Sequence, residues 1–443
     1  MIFTSYDNSH KKEKMKNLLS LLLLITFQLT FSQKNNYVDN YEMSQDFGKI
    51  IQDLSNDYIY LNDKKTDFSC VKEKYAEIVS KVKTNQEKVL FFEYLLNEFY
   101  DSNLQLNAKT KSSFRLHSPL HIVLKEDKFY VQNIWFSQIK DFGKNIIGAE
   151  VLNFNSKEFN KVIDDFPVQC VNKKIPEVRE WIANKIISGR LNESRVLTLK
   201  LVDDRKISLN VDNIKIREER KLLSVLKKDD FTVIKINNSL NHVNFIRYFD
   251  NQLNANINAK GLILDLRNTT DGKNSYVANA ILSRFIDSEV PFKKNVTKDK
   301  FGNNPAIIKS RLEFVNPRGI QFKQPVIVLV GKWTGSVGQD VAIGLDAINR
   351  GKILGTKMMK LAGETKDYLF TKDKYGYRIS TDKVYTANGI VREAFIPKYD
   401  ILQQSTLKDD VLNKAYSLLE AEANDSFASK IKNKSNIVAK NDK

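Results

Sequence analysis

Ser336 is the residue whose setting most clearly suggests chemistry. It follows an apolar run, PVIVLVG, and precedes SVGQDVAIGLDAI, which reads as a helix. A serine between a buried strand and a helix lies at the C-terminal edge of an α/β sheet, where sites form in such folds. The free N–H groups of a first helical turn hold an oxyanion. Gly335 permits a tight backbone just before the serine. Together these features describe acyl transfer to a serine hydroxyl, although a serine that only caps its helix has the same local pattern. A second strand-to-loop junction, GLILDLRNTTDGKNS, ends at the same edge. Its Asp271-Gly272 turn is expected to aim backbone N–H groups at Ser336, unless it only ends a strand.

The elements that must position these loops follow from periodicity. Between 231 and 400, FTVIKIN, KGLILDLR, PVIVLVG and KILGT read as strands, alternating with helices such as NFIRYFDNQLNA and YVANAILSRFI. Nearly continuous apolar strands separated by helices indicate a largely parallel sheet. Residues 38–102 carry helical spacing, as in Phe47, Ile50, Ile51 and Leu54, with Asp67 as an N-cap. From 116 to 215 the pattern is β-rich, with a hairpin turn at Glu126-Asp127 and a strand–turn–helix in EVLNFNSKEFNKVIDDF. IREERKLLSVLKKDD is a charged connector, and the tail after about 425 is polar.

Composition narrows the function classes. The chain has 443 residues, 42% of them hydrophobic, enough for two or three domains with buried cores. Two cysteines exclude a disulfide-framework miniprotein and a structural zinc site, and four histidines without HExxH exclude a histidine-rich metal centre. The net charge of +17 is spread along the chain with no basic block interleaved with aromatics, so no nucleic-acid partner is indicated. Residues 15–33, MKNLLSLLLLITFQLTFSQ, have a lysine, a short apolar run and a polar end, the layout of a secretory signal peptide. Met15 reads as the true start, and the run is short for a stable membrane anchor. Export to a periplasmic or extracellular space is therefore expected. There Cys70 and Cys170 have two open states, a persistent disulfide or two buried thiols.

Four segments in order resemble the C-terminal processing, or tail-specific, serine peptidases, including the tricorn-core-like branch. GLILDLRNTTDG resembles GLILDLRNNPGG, and KWTGSVGQDVAIG resembles the family's serine segment in its WTGSMGEG form. NGIVREAFIP resembles NGxxREDFVP, and GAEVLNFN resembles the family's PDZ segment. The family's glycine 19 residues after the serine falls on Gly355. The resemblance implies a multi-domain α/β (α+β) chain. Its parts are a signal peptide at 1–33, a helical domain at 34–115, a PDZ-like module at 116–215, a core at 216–425 akin to the ClpP/crotonase-like protease core, and a polar tail at 426–443. It implies hydrolysis of peptide bonds in unfolded proteins or C-terminal tails, held by strand addition to the PDZ-like module. Val337 and Gly272 are the implied oxyanion donors, and neither metal nor cofactor is implied.

The departures concern the general base. The bacterial enzymes place a lysine 25 residues after the serine; here that position is Leu361, with Lys360 one residue short. The tricorn-like members place a histidine where this chain has Asn103. Asp271 stands in the glycine-rich loop, where its charge would oppose a developing oxyanion. Lys360 is the candidate base, and Glu393 matches the glutamate of the tricorn-like tetrad. His117 and His121 follow the helical segment, with structural roles the plainer reading. A serine hydroxyl without an adjacent base is a weak nucleophile. The alternative is a degenerate relative that binds peptides without cleaving them.

Overall fold

The computed structural model describes residues 37–423, apart from 141, 218, 273, 300–304 and 374. The expected signal peptide at 1–33 and polar tail at 426–443 lie outside the described residues. Among the described residues no helix is long and apolar enough to cross a membrane.

The described residues open with three helices, α1 (Asn40–Asp57), α2 (Phe68–Val79) and α3 (Asn85–Asn97). Each starts on a side-chain cap, Asp39, Asp67 and Thr84, the last completing a capping box with Glu87. Their apolar stripes bury Met43, Ile50, Leu54, Val71, Phe92 and Leu95. The same cluster continues onto Phe370, Tyr377 and Ile379, so the helices are packed onto the later part of the chain.

A second unit is an antiparallel sheet of β2 (Leu120–Lys125), β3 (Lys128–Ile134), β4 (Glu150–Phe154), β6 (Val196–Lys200) and β7 (Lys206–Asn210), in that order, with β5 (Lys157–Glu158) beside β4. Glu126 and Asp127 both take positive φ, 48° and 59°, the primed turn that suits a two-residue hairpin. Helices α4 (Phe159–Asp164) and α5 (Pro176–Ser188) cover one face. The hairpin turn and the strand–turn–helix expected from the sequence are present here.

The sheet that carries Ser336 has six strands. They are β8 (Leu223–Lys228), β9 (Phe231–Ile236), β10 (Gly261–Asp265), β13 (Val326–Val330), β14 (Lys352–Gly355) and β17 (Tyr399–Asp400). From β9 through β10, β13 and β14 to β17 all pairings are parallel, and only β8 is antiparallel. Every residue of β10 and β13 is buried, which explains their unbroken apolar runs. One face is covered by α6 (Phe245–Ala255), α7 (Ser275–Leu282) and α8 (Ser336–Ala347). The other face is covered by a helix from 410, through Val411, Ala415 and Leu419.

The sequence pattern did not show a third sheet inside the 216–425 core. Here β1 (Gln105–Leu106), β16 (Gly376–Thr386), β11 (Val290–Asp299) and β12 (Ile307–Val315) pair in that order, with β15 (Glu364–Leu369) also on β16. The reason is physical: most of β12 is exposed on both faces, so its residues do not alternate.

Cys70 and Cys170 form a disulfide, with Cα atoms 5.7 Å apart, which closes the free-thiol alternative. It joins the start of α2 to the loop after α4. Glu98 holds the same loop, accepting from the N–H groups of Gln169, Cys170 and Val171 at 2.6, 3.0 and 3.0 Å.

Candidate active site

Ser336 is the first residue of α8, with Gly335 as its N-cap. Its φ is 44°, the left-handed region, which a non-glycine residue occupies at a cost of about 1–3 kcal/mol. The neighbours impose this. Thr334 N–H donates to Gly331 O at 2.8 Å, and its hydroxyl donates to Leu266 O at 2.9 Å. Gly335 N–H donates to Thr269 O, and Met359 N–H to Thr334 O, both at 2.9 Å. The 269 and 334 segments also meet as a parallel bridge, so the two sequence-predicted loops do share one sheet edge. Gly355 supports the elbow from below: its φ is 131°, and a Cβ there would stand 2.0 Å from Val330 O.

The first-turn amides differ in their engagement. Ser336 N–H donates to the side chain of Gln339, one turn on, at 3.2 Å. The Val337 N–H has no acceptor among the described residues, as an oxyanion donor requires. Gly272 lies against it; a Cβ there would be 2.7 Å from Val337 Cβ. In place of an N–H, however, Gly272 presents its carbonyl, which accepts the Ser336 hydroxyl. That corrects the expectation that this turn aims N–H groups at Ser336. Asp271 is exposed and turned toward Asn238, whose side chain accepts the Asp271 N–H at 3.0 Å and donates to its carboxylate at 3.3 Å. The feared charge at the oxyanion site is thereby drawn toward a side-chain amide.

The base candidates surround one segment, 361–363. Asn103, where the resemblance implies a histidine, is buried; its Nδ2 donates to Ala362 O at 2.7 Å. Its N–H donates to Asp101, which also takes the Tyr58 hydroxyl at 2.8 Å. Lys360 is exposed at φ 59°, while buried Leu361 packs toward Gly335. Glu393 is half-buried, and burial raises its carboxyl above the usual range. It faces Tyr60, whose hydroxyl burial and this carboxylate push far upward. Tyr60 in turn abuts Gly363, 3.0 Å from where a Cβ would stand. Asn103 and Glu393 are thus drawn to the same short wall, and neither is bonded to Ser336.

The histidines sit in the adjoining wall. The His117 ring packs edge-on to Trp135 at 6.4 Å; Trp135 stacks on Trp333 at 5.4 Å, and the Trp333 indole donates to Ser118 O at 3.0 Å. Burial holds His117 below its ordinary value, against the opposing charge of Asp271. His121 is bonded to Asn133 at 3.2 Å and is held well below its ordinary value, by burial first and by Lys332 next.

Sequence reasoning did not single out Asp340, Arg392 or Lys293. Arg392 donates to Asp340 at 2.6 Å and to the carbonyls of Leu361 and Gly363. Lys293 donates to the other Asp340 oxygen at 3.0 Å and to Glu364 at 2.6 Å. This buried network fixes the 361–363 wall to α8. The arginine of NGIVREAFIP was visible as a motif match, but its partner four residues after Ser336 was not. One acidic trio has metal-like spacing among the described residues, Glu42, Asp46 and Asp373. The Lys88 ammonium already stands among them as a cation, 2.6 Å from Asp46 and 2.7 Å from Asp373.

A serine in a strained turn after a buried parallel strand, with a free amide beside it, defines the site type of a serine hydrolase. Residues 230–399 match the model of peptidase family S41, and residues 39–98 match that of the tricorn protease C1 domain. The fold is that of mature CPAF, at a TM-score of 0.57 and 13% identity over 87% of this chain and 96% of CPAF. CPAF complexed with lactacystin gives 0.57 and 13%, over 87% and 98%. A candidate peptidase from Parabacteroides merdae gives 0.50 and 14%, over 85% and 96%. No curated protein matches the chain by sequence. Residues 230–399 thus carry the core of peptidase family S41, and the two matches together support a serine peptidase of the C-terminal processing type.

Proposed function

We propose that the chain is exported and hydrolyses peptide bonds of unfolded proteins or C-terminal tails through Ser336. The observation that carries this reading is Ser336 held at φ 44° at the start of α8, beside an unengaged Val337 N–H. The Ser336 oxygen attacks the scissile carbonyl and passes its proton to a base. The oxyanion is received by Val337 N–H, and by Gly272 N–H once the Gly272 carbonyl has turned away from the hydroxyl. The leaving amine takes the proton, and water then frees the acyl group and restores Ser336. Lys360 is the base in this reading: its loop is tied beside the elbow by the bond from Met359 N–H to Thr334 O. It must turn in from solvent to act. Glu393 orders Tyr60 against the same wall. The Cys70–Cys170 bond supports an oxidising compartment outside the cytoplasm.

The test is hydrolysis of unfolded casein by residues 34–443, beside Ser336→Ala, with fluorophosphonate labelling of both. Activity and labelling that vanish in the variant support the reading. A second reading is favoured by Asn103, which fills the histidine's place and is bonded to Ala362 O. In that reading the chain binds peptides without cleaving them, and saturable peptide binding without labelling is its result.

A further inference from the structure

Strand addition to the antiparallel unit at 116–215 requires a free sheet edge, and β2 is one of its two terminal strands. Helix α5 lies along it. The Asn184 side chain accepts the Ile122 N–H at 3.1 Å and donates to the Ile122 carbonyl at 2.8 Å. One side-chain amide thus does for Ile122 what a residue of a neighbouring strand does. One turn earlier Glu180 accepts the Leu124 N–H at 3.1 Å. Ile122 and Leu124 are two residues apart, so these polar groups face the same side, away from β3.

These contacts are not incidental touches of a loose helix. Val178, Ile182, Ala183, Ile186 and Ile187 bury the other face of α5 in the core of its unit. Asn184 Nδ2 also donates to Glu180 O at 2.8 Å, which fixes the amide's orientation. The Trp181 indole donates to the Ser102 hydroxyl at 3.3 Å, beside Asn103. An edge strand invites an added chain because its N–H and C=O groups are unpaired. Here the Ile122 N–H, the Ile122 C=O and the Leu124 N–H are paired already.

We propose that Asn184 and Glu180 are a built-in occupant of the β2 edge, a side-chain surrogate for an extended main chain that keeps this edge closed to peptides. An arriving peptide exchanges these three bonds for three of its own and gains little, since one set of hydrogen bonds replaces another. It must also order itself and lift α5 from its core. Peptide is therefore taken up on other surfaces of the protein, and β2 opens only when α5 is released.

The test uses the chain from 34 to 443 with Ser336→Ala, so nothing is cleaved whatever the fate of the peptidase reading. The probe is a fluorescein-labelled peptide of alternating valine and threonine, followed by anisotropy and by hydrogen exchange at the Ile122 and Leu124 amides. With Asn184 and Glu180 intact, both amides are protected and the probe leaves their exchange unchanged. Adding Asn184→Ala and Glu180→Ala speeds their exchange about tenfold, the loss of a bond worth about 1–1.5 kcal/mol. The probe then restores protection. Asn184→Leu keeps the volume and is the second variant should the double one unfold; it frees Ile122 alone. Probe-dependent protection of Ile122 with Asn184 in place overturns the proposal. So does unchanged exchange in the variants, or opened amides that the probe fails to protect.

Discussion

The Ser336 hydroxyl donates to the main-chain carbonyl of Gly272, and the two residues come from loops after different strands of one sheet. In this state the hydroxyl is engaged by a neutral acceptor that does not take its proton. Gly272 is also a glycine by necessity, because a Cβ would lie 2.7 Å from Val337 Cβ. Gly272→Ala must push the 271–272 turn off the start of α8. The expected outcome is fluorophosphonate labelling slowed about a hundredfold, the size of losing one oxyanion donor, with a melting temperature lowered by only a few degrees. Labelling kinetics and thermal melts on the same preparation check this. Labelling at the wild-type rate would show that Gly272 takes no part in the oxyanion site.

In the proposed reading Asn103 stands where the tricorn-like peptidases are expected to carry a histidine. Its side chain is buried and bonded to Ala362 O, within the wall that also meets Tyr60. Asn103→His puts an imidazole there, beside the Asp101 carboxylate that already accepts this residue's N–H at 2.8 Å and would orient the ring. A positioned general base contributes about 10²–10⁴-fold. The expected outcome is casein hydrolysis raised at least about a hundredfold, with a new rise in rate between about pH 6 and 7 as the imidazole loses its proton. A variant that folds, labels like wild type and gains no rate would show that the wall does not face Ser336.

Which features were legible in the sequence follows from how each is encoded. Ser336, Gly335 and the buried strand before them are adjacent in the chain, so the elbow could be read directly. The parallel sheet was legible because β10 and β13 are buried on both faces and read as unbroken apolar runs. The exposed strand β12 leaves no such trace. The site's wall depends on contacts between residues far apart: Asn103 with Ala362, Arg392 with Asp340, Lys293 with Glu364. Spacing carries none of these. The direction of the Gly272 carbonyl is a backbone choice that the residue type leaves open. The occupied β2 edge depends on Asn184, which in the sequence is one more polar residue of a surface helix.

His121 supplies a pH dependence with a definite sign. Burial and then Lys332 hold its imidazole well below the ordinary value, with Lys360 adding in the same direction and the Asn133 bond opposing. Above about pH 6.5 the ring is neutral folded and unfolded, and the group is without effect. Below that the unfolded chain binds a proton that the folded chain refuses, so stability falls as pH falls. From pH 7.5 to 5.5 the expected loss from this residue is about 1 kcal/mol, reduced from the ideal slope by partial solvent access. His121→Gln keeps a partner for Asn133 and removes the titration. Urea midpoints at the two pH values should then differ less than in wild type. An equal drop in both proteins would place the acid sensitivity elsewhere.

The Cys70–Cys170 bond closes a loop with a sequence separation of 100 residues. In the chain-entropy account a loop of that size is worth up to about 4.7 kcal/mol, with about 2–4 typical. In the folded protein the same loop is held independently, because Glu98 accepts three of its N–H groups and the Tyr75 hydroxyl. The bond therefore acts mainly on the unfolded chain, and its removal should leave the native contacts in place. Cys70→Ser with Cys170→Ser is expected to lower stability by about 2–4 kcal/mol while labelling at Ser336 is unchanged. Wild type in reducing agent should match the variant's urea midpoint, and reductant should not move the variant. Glu98→Gln in the same background removes the charge that the three amides share and should add a further loss of about 1–3 kcal/mol. If the two losses simply add, the bond and the carboxylate stabilise the junction independently; a much larger combined loss would mean that each holds the loop for the other.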